Sequence, residues 1–202
     1  MQRGYGKTLT EINNSLHTLT DEEAIRMGTN IGQQMGAMTR AFFLTNRTIL
    51  AHGDFQRPNL MYSKNKEQFY WIDLGGTREI AYIPGGGAQN YEASYFDIET
   101  SQVKYIWWAF SPNGRELKKA KAAASAEEKN AILNKHRIGI LAGNAFYNGY
   151  LEQVRDLDPH QESPQHKDSF IKFIDQQKRE YIETVQNVFG EESPRVLSYL
   201  RL

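Results

Sequence analysis

The chain alternates short apolar runs with polar segments over residues 49–76, and these runs have the composition of β-strands. They are residues 49–51, 60–62 and 69–72, and each is rich in residues that favour strands. The polar stretch 63–66, Ser-Lys-Asn-Lys, lies between the second and third runs and has the composition of a turn. The pattern therefore predicts one strand followed by a short β-hairpin.

Helical periodicity dominates the rest of the sequence. Thr20-Asp21-Glu22-Glu23 has the form of a capping box, which marks the start of a helix. Apolar residues then recur on one helical face, which predicts a helix to about residue 44; they are Ile31, Met35, Met38 and Phe42. Further helices are predicted over about 93–110, 118–129, 127–154, 168–189 and 194–202. The predicted class is α+β, mostly α.

The first segment, residues 1–19, is polar and contains two glycines. We therefore predict a flexible N-terminal arm over residues 1–19 and a single folded domain over residues 20–202.

Candidate chemistry lies at the ends of the predicted strands. Asp54 follows the first strand, Asn59 comes five residues later, and Asp73 follows the hairpin. A carboxylate can accept a proton from a hydroxyl group, and carboxylate and amide oxygens are ligands that suit Mg²⁺. Phosphoryl transfer needs such a base and such metal ligands, because its catalysis consists of positioning and charge neutralisation. The spacing predicts a catalytic Asp54 with Asn59 and Asp73 as metal ligands.

The same residues carry a resemblance to a known group of enzymes. His52-Gly53-Asp54, then Asn59, then Asp73-Leu74-Gly75 share the frame H-x-D-x-x-x-x-N and D-x-G of kinases. With glycine after the histidine, and with residues 95–99 (Tyr-Phe-Asp-Ile-Glu), the segment resembles the aminoglycoside phosphotransferase and choline kinase group of the protein-kinase-like superfamily. The resemblance covers residues 49–110.

The resemblance implies a kinase-like C-terminal lobe whose β-hairpin carries the catalytic loop. It implies Mg²⁺, ATP or GTP as co-substrate, and an acceptor hydroxyl on a small molecule or a protein. It also implies that Asp97 opens a helix and supports the loop from below. His52 is expected to support the loop through hydrogen bonds rather than to act as a base.

The chain also departs from the group. The β-rich N-terminal lobe, with its glycine-rich loop and strand lysine, has no counterpart in the residues before His52. The sequence fits a fragment, a chain completed by a second chain that supplies the lobe, or a chain whose own cations hold the phosphates. Candidate cations are Arg3, Lys7 and Arg57. Gln56 stands where the group often has histidine, so Gln56 and Arg57 are predicted phosphate contacts.

Two alternatives to phosphotransfer remain open at this stage. One is a truncated or degenerate kinase-like module that binds a partner without catalysis, which the missing lobe motivates. The other is a kinase-like nucleotidyl transferase, because the same metal ligands can present a different phosphate for attack. A cation close to Asp54, Asn59 and Asp73 would favour an enzyme over the binding module.

The composition of the chain argues against several classes of function. Lys plus Arg and Asp plus Glu are equal at 24 each in 202 residues, which argues against general nucleic-acid binding. The chain has no cysteine, which excludes disulfides and thiolate chemistry. It has neither an apolar signal region near Met1 nor an apolar run long enough for a membrane span. A cytoplasmic location is expected, with export by a specialised route left open.

Overall fold

The computed structural model describes residues 6–84, 94–110, 114–162 and 164–201. The strands are β1 (Lys7–Thr8), β2 (Thr48–Ala51), β3 (Leu60–Ser63), β4 (Gln68–Trp71) and β5 (Arg78–Ala81). The helices are α1 (Leu9–Ser15), α2 (Asp21–Asn46), α3 (Tyr95–Phe110), α4 (Gly114–Ala122), α5 (Ala126–Val154), α6 (Asp158–Glu162), α7 (Pro164–Phe189) and α8 (Ser193–Leu200). The fold is mostly helical with small antiparallel sheets, as the periodicity predicted.

The N-terminal segment differs from its prediction. Residues 7–18 are not a flexible arm, because they form β1, α1 and a 3₁₀ turn. Leu9, Ile12 and Leu16 on this segment are buried in the main core, and Thr8 caps α1 in a capping box with Glu11. The apolar residues of this short helix fall three and four apart, and they bury a face that its polar composition concealed.

The central feature of the helical part is the contact between α2 and α5. Met27, Ile31 and Met35 of α2 are buried, whereas the predicted position Phe42 is only half-buried and Phe43 takes its place in the core. Gly28, Gly32 and Gly36 repeat every four residues on the same helix. A Cβ atom at Gly32 would lie 2.0 Å from the Phe146 carbonyl oxygen of α5. The glycines therefore allow the two backbones to approach directly.

The strands form two small sheets that flank the predicted catalytic loop. β3 pairs antiparallel with both β1 and β4, and β2 pairs antiparallel with β5. In the β3–β4 hairpin, Leu60 pairs with Trp71 and Ser63 with Gln68. Residues 52–59 run from the end of β2 to the start of β3, and residues 72–77 run from the end of β4 to the start of β5. Because Leu60 pairs with Trp71 and Ala51 with Arg78, these two connections lie side by side between the sheets.

A buried polar network ties α3 to the helical core. The Glu99 carboxylate is fully buried, accepts a 2.6 Å hydrogen bond from the Tyr150 hydroxyl and lies 2.9 Å from His160 Nε2. Burial raises the pKa of Tyr150 well above its ordinary value, which keeps its hydroxyl proton available for the carboxylate. Because a buried carboxylate needs such partners, the network fixes the position of α3, the helix that contacts the predicted loop.

Candidate functional site

The predicted catalytic loop joins β2 to β3 and packs closely on the turn that follows Asp73. Gly53 has a φ of +82°, and a Cβ atom there would lie 2.3 Å from the Gly76 carbonyl oxygen. Only glycine combines this backbone conformation with so close an approach. Residues 57–59 form a short 3₁₀ turn that leads into β3. The loop and the turn are thus one packed unit.

Asp54 and Asn59 are in direct contact. The Asn59 Nδ2 atom donates to the Asp54 carboxylate oxygen Oδ2 at 2.9 Å and to the Asp54 backbone oxygen at 3.0 Å. The Gln56 Nε2 atom donates to the other carboxylate oxygen, Oδ1. Each oxygen of the Asp54 carboxylate therefore accepts one amide proton, which fixes the orientation of the group.

Asp73 is held next to this pair through the backbone. The Ile72 amide donates to the Asn59 carbonyl oxygen at 2.9 Å, so the residue before Asp73 is bonded to the residue that contacts Asp54. Asp73 itself has the left-handed conformation, with φ 58° and ψ 58°, which costs a side-chain-bearing residue about 1 kcal/mol. Its exposed carboxylate makes no hydrogen bond or ion pair with the described residues.

His52 connects the loop to the strand that carries Asp73. Its side chain is buried, and Nε2 lies 2.9 Å from the Ile72 carbonyl oxygen. Its ring also contacts Phe55 and Trp71. Through these contacts His52 joins the end of β2 to the end of β4.

The support from α3 comes from residues that the sequence did not indicate. Gln102 accepts from the His52 backbone amide at 3.2 Å and donates to the Leu50 carbonyl oxygen at 3.2 Å. The Tyr105 hydroxyl accepts from the Arg57 backbone amide at 2.9 Å. Both residues follow residues 95–99, the segment of α3 whose sequence was compared with the kinase-like group. The one signal in the sequence was a polar Gln102 next to the apolar positions Val103 and Ile106.

Asp97 does not take the role predicted for it. Its carboxylate accepts hydrogen bonds from the backbone amide and the hydroxyl of Ser94, at 3.0 and 2.8 Å. It thereby closes the first turn of α3, and within the described part of the chain it makes no hydrogen bond to residues 52–59. Asp97 lies at the exposed start of α3, whereas Gln102 and Tyr105 provide the hydrogen bonds between α3 and the loop.

The two predicted phosphate contacts are engaged elsewhere. Gln56 binds Asp54, as described above, and the Arg57 guanidinium donates to the Trp108 carbonyl oxygen at 3.0 Å, near the end of α3. Lys7 lies on β1, which pairs with the far end of β3. Arg3, the third candidate cation, lies outside the described residues. In this arrangement both Gln56 and Arg57 hold the loop, and their contact with a phosphate stays a prediction.

The oxygen atoms of Asn59 and Asp73 suit a hard cation that is also bound by oxygen atoms of its substrate. Because Asn59 turns its amide nitrogen to Asp54, its carbonyl oxygen Oδ1 remains as an acceptor, and the Asp73 carboxylate is exposed. Mg²⁺ is commonly bound by one or two protein oxygens together with phosphate oxygens. No group of three or more His, Cys, Asp or Glu side chains in the described ranges is placed to hold a metal ion.

Gln102 offers a direct test of how the loop is held. We expect Gln102→Leu to destabilise the fold by about 2 kcal/mol, because the His52 amide and the Leu50 carbonyl would lose buried partners. Chemical denaturation measures this change. Gln176→Leu, on the exposed surface of α7, is the matched control and should change stability by less than about 0.5 kcal/mol. Equal stabilities for the two variants would contradict the support role.

Comparison of the chain with known protein families, curated proteins and solved structures found no match. The resemblance to kinase-like enzymes therefore remains a prediction from the residues of the loop. No helix in the described ranges has the length and apolar character required to cross a membrane.

Proposed function

We propose that the chain is a kinase-like, Mg²⁺-dependent phosphotransferase that moves the terminal phosphate of ATP or GTP to an acceptor hydroxyl. The proposal rests on the hydrogen bonds that Asn59 makes within the loop and with the end of β4. Asn59 donates to the Asp54 carboxylate, and its backbone carbonyl accepts from Ile72, the residue before Asp73. A base for the acceptor and two oxygen ligands for a metal thus share one edge of the hairpin.

The roles follow from the positions of the side chains. Asp54 accepts the proton of the acceptor hydroxyl, and the amides of Gln56 and Asn59 hold its carboxylate in one orientation. Asn59 Oδ1 and the Asp73 carboxylate would hold Mg²⁺, which would neutralise charge on the nucleotide phosphates. Gln102 and His52 fix the loop so that these groups keep their spacing, which is where most of the catalytic effect of positioning resides.

One observation favours a second candidate, a kinase-like module that binds a partner without catalysis. Within the described part of the chain, no lysine or arginine forms an ion pair with Asp54 or Asp73, and the nearest candidate, Arg57, donates to Trp108. Phosphotransferases normally add a cation to the metal at the transferred phosphate. A second chain that places a lysine or arginine at this edge would supply the cation.

Calorimetric titration with ATP and GTP, each with and without Mg²⁺, tests the proposal. We expect binding that requires Mg²⁺ and that weakens at least about tenfold in Asp73→Ala, since one of two protein ligands is lost. Asp175→Ala, which removes an exposed carboxylate on α7, is the matched control and should bind as the wild type does.

The same titration separates the two candidates. No Mg²⁺-dependent binding by the wild type, or equal binding by the wild type and Asp73→Ala, would contradict the phosphotransferase and leave the binding module. If nucleotide binds, ATP labelled on either the terminal or the first phosphate distinguishes phosphoryl transfer from nucleotidyl transfer to an added acceptor.

A further inference from the structure

Arg78, the first residue of β5, lies beside the loop that carries Asp54. In the β2–β5 ladder it is the partner of Ala51, the last residue of β2. Paired residues of an antiparallel ladder have Cα atoms about 5 Å apart, and Asp54 follows Ala51 by three residues. The pairing therefore places Arg78 at the border of the predicted catalytic loop.

The turn between Asp73 and Arg78 keeps these two residues close as well. Residues 74–76 form a 3₁₀ turn whose ends are joined by a backbone hydrogen bond. Such a turn rises only about 2 Å per residue, so the chain advances little as it leaves Asp73. The turn also contacts the loop, because a Cβ atom at Gly53 would lie 2.3 Å from the Gly76 carbonyl oxygen. The backbone of Arg78 is thus held near both carboxylates of the proposed site.

The side chain of Arg78 leaves the ladder on the face opposite to Glu79. Successive side chains of a strand point to opposite faces, and Glu79 is the next residue of β5. The Glu79 carboxylate accepts hydrogen bonds from Asn46 Nδ2 at 3.1 Å and from Thr48 Oγ1 at 2.9 Å. Arg78 shares its own face with Ala51, its partner in the ladder. The carboxylate nearest in sequence is therefore not a partner of the arginine.

Arg78 differs from the other arginines around the site in having no partner among the described residues. It is exposed and makes no hydrogen bond or ion pair with them. Arg47, at the other end of the β2–β5 ladder, pairs with Asp158 Oδ2 at 2.6 Å, and Arg57 donates to a backbone carbonyl of α3. Of the three arginines in the described residues 47–81, Arg78 is thus the one whose guanidinium is available to a ligand.

A guanidinium beside two carboxylates suits a site for nucleotide phosphates. Asp54 and Asp73 repel phosphate oxygens, and in the proposed site Mg²⁺ would offset only part of that repulsion. A guanidinium presents N–H groups in pairs that match two phosphate oxygens, and such charge-assisted hydrogen bonds are stronger than neutral ones. Arg78 thus has the charge and the hydrogen-bond donors that Asp54 and Asp73 lack.

We propose that Arg78 contacts the terminal phosphate of the nucleotide, an inference that rests on the proposed phosphotransferase function. Its guanidinium donates to two oxygen atoms of that phosphate and stabilises the negative charge on them during transfer. In this step the bond from the terminal phosphorus to the bridging oxygen breaks, the bond to the acceptor oxygen forms, and the hydroxyl proton passes to Asp54. The nucleoside diphosphate leaves, and the chain itself supplies the cation.

Calorimetric titration with Mg²⁺-ATP tests this role in Arg78→Gln, with Arg195→Gln, a change at an exposed arginine of α8, as the matched control. We expect Arg78→Gln to raise the dissociation constant about tenfold, because a charge-assisted hydrogen bond is lost, and to keep the requirement for Mg²⁺. Transfer of label from the terminal phosphate to water should fall at least about 10²-fold. Arg78→Lys keeps the charge but not the paired donors, so its values should lie between those of Arg78→Gln and the wild type.

The outcomes separate this inference from the function on which it rests. If Asp73→Ala weakens Mg²⁺-ATP binding while Arg78→Gln binds and transfers as Arg195→Gln does, the role of Arg78 is overturned and the phosphotransferase stands. No Mg²⁺-dependent binding by the wild type overturns both. Because Arg78 is exposed, its variants should keep the unfolding temperature of the wild type. A loss of binding that Arg78→Lys does not restore in part, together with a lowered unfolding temperature, would show a structural role instead.

Discussion

Gly32→Ala is expected to destabilise the fold by about 3 kcal/mol, at the upper end of the usual cost of overfilling a core. The added Cβ atom would lie 2.0 Å from the Phe146 carbonyl oxygen and 2.8 Å from the Tyr150 amide nitrogen. Both are backbone atoms of α5, so α2 and α5 must move apart to make room. That movement loosens the packing of Ile31 and Met35, and it outweighs the gain of about 1 kcal/mol that alanine brings to a helix.

Urea denaturation followed by circular dichroism measures this effect. Gly75→Ala is the matched control, because no atom lies within 4 Å of a Cβ atom at Gly75 and its φ is not in the left-handed region. We expect the control to change the free energy of unfolding by less than about 0.5 kcal/mol. A Gly32→Ala variant as stable as the wild type would show that the two helices are farther apart than described.

Asp54→Asn is expected to lower the rate of phosphoryl transfer by about 10²- to 10⁴-fold, the usual contribution of a general base. The substitution preserves the size of the side chain but removes the carboxylate that accepts the hydroxyl proton. Nucleotide binding should change little, because the proposed metal ligands are Asn59 and Asp73. The expected pattern is a large loss in kcat with an almost unchanged dissociation constant for Mg²⁺-nucleotide.

The assay follows the label from the terminal phosphate of ATP into an acceptor, or into water when no acceptor is present. Asp97→Asn is the control, because the structure assigns Asp97 to the first turn of α3 and not to the loop. We expect this variant to retain most of the activity. Full activity in Asp54→Asn, or equal losses in the two variants, would remove Asp54 from the catalytic role.

Local signals in the sequence were sufficient for the elements around the site. The capping box at Thr20 begins α2, and the short apolar runs became β2, β3 and β4. These features are determined over a few residues, because a cap, a turn and a strand each depend on neighbours in the chain. Asp54 and Asn59, which are five residues apart, likewise form a direct hydrogen bond.

The sequence did not determine which partners the individual polar side chains contact. Gln56 and Arg57 were expected at a phosphate, and Asp97 was expected under the loop. In the structure Gln56 binds Asp54, Arg57 binds the Trp108 carbonyl and Asp97 binds Ser94. The direction of a long polar side chain depends on partners that are remote in sequence. Trp108 is 51 residues from Arg57.

What the sequence by itself determined is the strands β2, β3 and β4, most of the long helices and the α+β class. Only the tertiary structure decided that β1 and α1 form and that α1 enters the core, that Gln102 supports the loop, and that Lys7 lies on β1 at the far end of β3. The physical reason is the separation along the chain over which each effect acts. Propensity, capping and periodicity act over one or two turns of chain, whereas burial, backbone approach at Gly32 and hydrogen bonds across 50 residues exist only after the helices have packed.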